Sequence, residues 1–235
     1  MHFDKAYVIG LEQAGPDRLR RFFKSSRTAG VQVELFPAVN GGSLDLDGFH
    51  KSGYLADDFE LRMPGSLGCL LSHVTLWEKI DADPDVSIAL ICEDDALLDP
   101  DFMDTLENIS WEEVPDDWDV IRLASHKVTG EPVSEQFVKP PTKYIRGANS
   151  GTFCYLIRSS SCLKLKDVLI PYKNRQSMDV LLKKHSDKYN LYVHKTPLAR
   201  EQRFRYSPRV DLNLMQQKGG FASTVMRLLS KILPH

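Results

Sequence analysis

Apolar positions alternate between the periods of strands and helices from the start of the chain. Ala6-Tyr7-Val8-Ile9 is a short, partly β-branched apolar run that ends at Gly10 and predicts a strand. Pro16-Asp17 opens a helix in which Leu19, Phe22 and Phe23 recur at helical spacing, and Gly30 stops it. Val31, Val33 and Leu35 then alternate with Gln32 and Glu34, the period of a half-buried strand. Strand, helix and strand in this order predict a parallel pair with the helix packed on one face. Asn40 to Gly65 shows no sustained period and reads as a long loop. Leu67, Leu70, Leu71, Val74 and Trp77 predict a helix that buries a broad face. Ser87 to Cys92 is almost wholly apolar, as suits a central parallel strand covered on both faces. Further strands are expected at Asp119–Leu123, Thr152–Ile157 and Leu191–Val193, and a helix at Ser177–Lys188. The polar residues from Ser125 to Lys143 carry three prolines and predict a mobile excursion. The expectation is one α/β domain over residues 1–206, a mostly parallel Rossmann-type sheet flanked by helices, followed by a tail at 207–235.

Composition narrows the function. The 235 residues hold 30 Lys and Arg against 32 Asp and Glu, a net charge of −2, so a dedicated nucleic-acid partner is not expected. The four cysteines form no C-x-x-C pair and read as buried free thiols of a reducing cytoplasm. The first residues lack the basic and apolar segments of a secretory signal, and a cytoplasmic location is expected. The tail differs: from Arg200 to His235 seven Lys or Arg face only Glu201 and Asp211. With Phe221, Val225, Leu228, Leu229, Ile232 and Leu233 at helical spacing, it is a basic amphipathic segment. Such a segment docks on the core, on a second subunit, or on anionic lipid at the cytoplasmic face of the inner membrane.

The chemistry concentrates in Glu93-Asp94-Asp95, three carboxylates at the carboxyl end of the buried strand. Ligands of open α/β sheets bind at that edge. Adjacent like charges call for a compensating cation, and Mg²⁺ or Mn²⁺ on carboxylates completes its shell with water and phosphate oxygens. Asp-x-Asp also occurs at 45/47, 81/83, 83/85, 99/101 and 117/119, but none of these follows a buried strand. The competing reading of the triplet is helix capping or solvated loop charge.

These residues resemble glycosyltransferase family 25, the family of lipooligosaccharide and collagen galactosyltransferases. The resemblance rests on Glu93-Asp94-Asp95, Gly68-Cys69-Leu70-Leu71-Ser72-His73, Val8-Ile9-Gly10-Leu11 with Arg18, and Trp77. It also rests on Asp119-x-x-Arg122-Leu123, Gly151-Thr152-x-x-Tyr155-Leu156-Ile157 and Asp179. It implies a GT-A-like fold and an inverting, metal-dependent transfer of a hexose, galactose from UDP-galactose above others, to a saccharide acceptor; the basic tail suits an acceptor that is lipid-linked. Asp95 and Glu93 would hold Mn²⁺ or Mg²⁺, Asp94 would position the donor, and Gly10, Arg18 and His73 would line the donor site. Gly10 and Ser66 depart from the family pattern, which usually has Asn and an acidic residue there. Asp179 is the candidate general base, with a first-turn helix carboxylate as its alternative. His73 and Arg18 have plain readings as a core histidine and a solvated helix charge. His194, after the last predicted strand, is a candidate further metal ligand, with a surface histidine as its alternative. The acceptor would approach across Ser125–Lys143. The rival classes are a non-catalytic binding relative of the same fold and a metal-dependent phosphatase or nucleotidyltransferase.

Overall fold

A computed structural model describes residues 3–11, 16–61, 63–143, 145–173 and 176–202, and the basic segment expected at 207–235 lies outside them. Strand β1 (Lys5–Gly10) leads to helix α1 (Pro16–Thr28) and back to β2 (Glu34–Pro37), parallel to β1. Next come α2 (Leu46–Lys51), α3 (Pro64–Asp81), β3 (Ile88–Glu93), β4 (Ala96–Leu98), α4 (Phe102–Glu107) and β5 (Val120–Arg122). The second half adds β6 (Glu131–Pro132), β7 (Phe137–Lys139), β8 (Cys154–Arg158), α5 (Cys162–Leu169), α6 (Met178–Lys184), β9 (Leu191–His194) and β10 (Ala199–Glu201).

Among the described residues, eight strands form one sheet in the order β2-β1-β3-β8-β5-β9-β7-β6. Pairing directions make β8 and β7 run against the other six, so the sheet is mixed with most strands pointing one way. Strand β1 has β2 on one side and β3 on the other, a topological switch of the kind that opens a crevice at the carboxyl ends of the strands. Two apolar layers cover the sheet. Tyr7, Ile9 and Ile91 pack with Leu67, Leu70, Leu71, Val74 and Trp77 of α3, whereas Val8, Leu90 and Cys92 pack with Phe22 of α1. This is the α/β arrangement, a sheet with helices on both faces, that the alternating pattern predicts.

Local chemistry explains where element boundaries moved. Helix α1 ends in a Schellman motif: Gly30, at φ +72°, donates to Arg27 O at 3.2 Å, and Val31 donates to Ser26 O at 2.9 Å. Val31 therefore belongs to the helix stop, and β2 begins only at Glu34. The expected loop at 40–65 contains α2, capped by Asp45, whose carboxylate accepts from Gly48 N at 3.0 Å. No residue of α2 is buried, which is why no apolar period marks it.

The expected mobile excursion at Ser125–Lys143 instead carries an edge hairpin of β6 and β7 paired to β9. Phe137 and Val138 are buried and anchor it. Asn149 also ties it down, accepting from Thr129 N at 2.9 Å and donating to Thr129 O at 2.7 Å. Helix α6 is shorter than the Ser177–Lys188 pattern predicts.

Candidate active site

The crevice at the carboxyl ends of β1 and β3 gathers most of the residues singled out above. In register Ile9 stands opposite Glu93, and Asp94 N donates to Ile9 O at 3.0 Å, which places Gly10 and the acidic triplet at the same edge. Strand β8 runs the other way, so the residues before it reach this edge too. Glu93 N donates to Phe153 O at 3.0 Å, and Thr152 Oγ1 donates to Glu93 Oε1 at 2.6 Å.

The triplet splits between two neighbourhoods. Asp94 and Asp95 meet Arg18 of α1: Nε and Nη2 donate to Asp94 Oδ1 at 2.9 and 2.5 Å, and Nη2 reaches Asp95 Oδ2 at 3.0 Å. Burial works against the charge of Arg18, yet the two carboxylates raise its pKa above the ordinary value. Part of the compensation that the sequence reading assigned to a metal thus comes from a guanidinium. The alternative of a solvated helix charge at Arg18 does not hold, because the residue is buried.

Glu93 sits with α3 instead. His73 Nε2 lies 3.5 Å from Glu93 Oε1, and His73 Nδ1 is 2.8 Å from the Tyr155 hydroxyl. Trp77 Nε1 donates to that same hydroxyl at 2.9 Å. Burial drives the Tyr155 phenol well above its usual pKa, so it stays neutral. His73 is fully buried behind Glu93 and presents no surface to a donor. Two glycines let α3 come this close to the sheet edge. A Cβ on Gly68 would stand 2.6 Å from Val39 O and 2.7 Å from Gly41 N, and one on Gly41 would strike Pro64 O. Ser72 completes the crossing, accepting from Val39 N at 2.8 Å and donating to Gly68 O at 2.7 Å.

Asp179 joins the same crevice from the first turn of α6. Together with Ser66, Cys69, Thr152, Ser177 and Met178 it lines a cleft whose Thr152 holds Glu93. Ser177 does not cap α6 through its side chain; its hydroxyl donates to Asp179 Oδ1 at 2.6 Å. Burial favours the protonated carboxyl. The Ser177 hydrogen bond and the nearby cations Arg122 and Lys183 outweigh it, and the pKa falls below the ordinary 3.8.

His194 is not brought to this cluster. It ends β9, three strand spacings from β3, or about 14 Å across the sheet. Its Nδ1 faces Thr196 O and its ring packs on Phe137 with centroids 5.0 Å apart. Burial lowers its pKa, so it is a neutral core imidazole.

Sequence reasoning gave no role to Cys69, Arg122, Thr152 or Tyr155. Cys69 was visible as the i−4 neighbour of His73, but only strand pairing brings Thr152 and Tyr155 under Glu93. The Asp119 carboxylate is structural: it accepts from Ser161 Oγ at 2.7 Å, Lys164 Nζ at 2.6 Å and Asn190 N at 2.7 Å.

The family model "Glycosyltransferase family 25 (LPS biosynthesis protein)" matches residues 3–182. A glycosyltransferase 25 family member of Aedes aegypti is 31% identical over 172 residues, 68% of this chain and 27% of that protein. A human relative named inactive glycosyltransferase 25 family member 3 is 29% identical over 174 residues, 69% of this chain and 28% of its own length. Procollagen galactosyltransferase 1 of Danio rerio is 27% identical over 140 residues, 56% of this chain and 23% of its own. The chain thus spans about a quarter of the length of these relatives. With the family model matched over most of the chain, the chain belongs to glycosyltransferase family 25.

Proposed function

We propose that this chain is an inverting glycosyltransferase that moves a hexose, galactose from UDP-galactose, onto a saccharide of a surface glycan. The observation that carries this reading is the shared cleft: Asp179 lines it and Thr152 ties Glu93 to its wall. Family membership supports the reaction class, and the procollagen galactosyltransferase relative supports galactose.

Glu93 and Asp95 offer carboxylate oxygens, the hard donors that Mg²⁺ and Mn²⁺ take, so by donor chemistry they suit such an ion, with Asp95 also shared with Arg18 and Glu93 with Thr152. When bound, it neutralises charge on the diphosphate leaving group. The other steps belong to side chains. Arg18 grips Asp94 through two nitrogens and Asp95 through one, which holds both carboxylates in place; Asp94 orients the donor. Asp179 is kept ionised and takes the proton of the acceptor hydroxyl as its oxygen bonds to the anomeric carbon. The bond from that carbon to the diphosphate oxygen breaks on the opposite side, and UDP leaves with the electron pair. The basic composition of the segment at 207–235 supports an acceptor that is a lipid-linked saccharide.

The test is incorporation of labelled galactose from UDP-galactose into a lipooligosaccharide acceptor with Mn²⁺ present. The reading predicts transfer that falls ~10²–10⁴-fold in Asp179→Asn. Donor binding without transfer to any saccharide would favour a non-catalytic member, as the human relative is named.

A further inference from the structure

We propose that Cys69, His73 and Glu93 form a binding site for a borderline-soft divalent cation of the Zn²⁺ class, which shares only Glu93 with the oxygen-ligated ion above. The thiol, the imidazole and one carboxylate oxygen all lie within 4.8 Å of one another. Cys69 and His73 are one helical turn apart, so both project from the same face of α3. Glu93 closes over that face from the end of β3.

The contact between His73 and Glu93 points to a ligand. At 3.5 Å, Nε2 and Oε1 are too far apart for a good hydrogen bond. Two donors of one tetrahedral ion with bonds of 2.0–2.3 Å stand about 3.3–3.8 Å apart, which is that separation. His73 Nε2 is fully buried and has no hydrogen-bond partner, although it is aimed at the cluster. Its other nitrogen already has the support that metal-bound imidazoles carry: Nδ1 is 2.8 Å from the Tyr155 hydroxyl, which Trp77 fixes in turn. In the tautomer that carries its proton on Nδ1, the lone pair of Nε2 is available to an ion between Cys69 and Glu93.

A thiolate and an imidazole select Zn²⁺ over Mg²⁺ or Mn²⁺, which take oxygen donors. Three protein ligands leave one position of a tetrahedral ion open. Cys69 lines the cleft beside Thr152 and Asp179, so an ion would reach the three ligands from that side. The inference does not rest on glycosyl transfer, but it has a consequence for it: Zn²⁺ draws on Glu93 and competes with any ion that shares this carboxylate.

Cobalt is the probe. Reduced protein titrated with Co²⁺ is expected to gain a thiolate-to-cobalt charge-transfer band and intense tetrahedral visible bands, saturating at one ion per chain and erased by Zn²⁺. In Cys69→Ser, checked for an unchanged melt, the charge-transfer band should vanish. A second measurement needs no variant: Zn²⁺ at ten times its dissociation constant should slow alkylation of Cys69 by about 10-fold, read by peptide mass. Absence of the band in wild type, its survival in Cys69→Ser, or unchanged alkylation would overturn the site. Neither readout involves a nucleotide sugar, so failure here leaves the transferase reading standing, and the reverse.

Discussion

Arg18 holds Asp94 through two nitrogens of one guanidinium, Nε at 2.9 Å and Nη2 at 2.5 Å, both on Oδ1. Both residues are buried, so the pair is where sequence-distant α1 is tied to the turn after β3. Removing one partner leaves the other charge buried and unpaired. Arg18→Met is therefore expected to cost about 3–5 kcal/mol in urea unfolding. The triple change Arg18→Met, Asp94→Asn, Asp95→Asn should cost less than the single one, since no orphaned charge remains. A single variant of near-wild-type stability would show the pair to be absent in solution.

Asp179 carries the pH dependence. Its pKa is depressed in the folded chain, so it contributes stability above the ordinary 3.8 and loses it as pH falls through the lower folded value. Asp179→Asn should flatten the acid limb of the stability curve and lower the neutral plateau by the stability that the ionised carboxylate contributes there. Transfer activity should show no limb from this group between pH 5 and 8, a window set by an ordinary aspartate value of about 3.9. An activity limb in that window that disappears in Asp179→Asn would contradict the depressed pKa.

Gly68 makes the approach of α3 to residues 39–41 possible. A methyl group there meets two backbone atoms, Val39 O at 2.6 Å and Gly41 N at 2.7 Å, neither of which can swing aside. Gly68→Ala should destabilise by ~1–3 kcal/mol with an unchanged denaturant slope. A variant as stable as wild type would mean that the helix sits farther out than described.

His194 is predicted to be silent in metal binding. His194→Gln should leave the Mn²⁺ response of donor binding unchanged. A loss beyond about tenfold, the scale on which even outer-shell partners of metals act, would return it to the metal shell.

What could be read from the chain follows from the range over which each signal acts. The β1-α1-β2 unit and the buried run before Glu93 were legible because apolar period and turn chemistry are local. Helix α2 was not, since it buries nothing, and the hairpin of β6 and β7 was not, since long-range contacts, the pairing of Phe137 and Val138 with β9 and the Asn149 bonds to Thr129, hold it. The same divide runs through the site. Glu93-Asp94-Asp95 stood out as a motif, and its division between Arg18 on one side and Thr152 with His73 on the other is a product of the fold. His194 looked plausible as a ligand because sequence order says nothing about strand order; β9 lies three places from β3.

The most direct measurement is a thermal-shift panel of nucleotide sugars with and without Mn²⁺, on wild type and Asp95→Ala. A donor at ~100 times its dissociation constant adds about 2.7 kcal/mol of stability, which moves the melt by several degrees. The account predicts a metal-dependent rise with UDP-galactose that Asp95→Ala abolishes. No rise with any nucleotide sugar in folded, metal-supplied protein, or a rise that Asp95→Ala leaves intact, would contradict it.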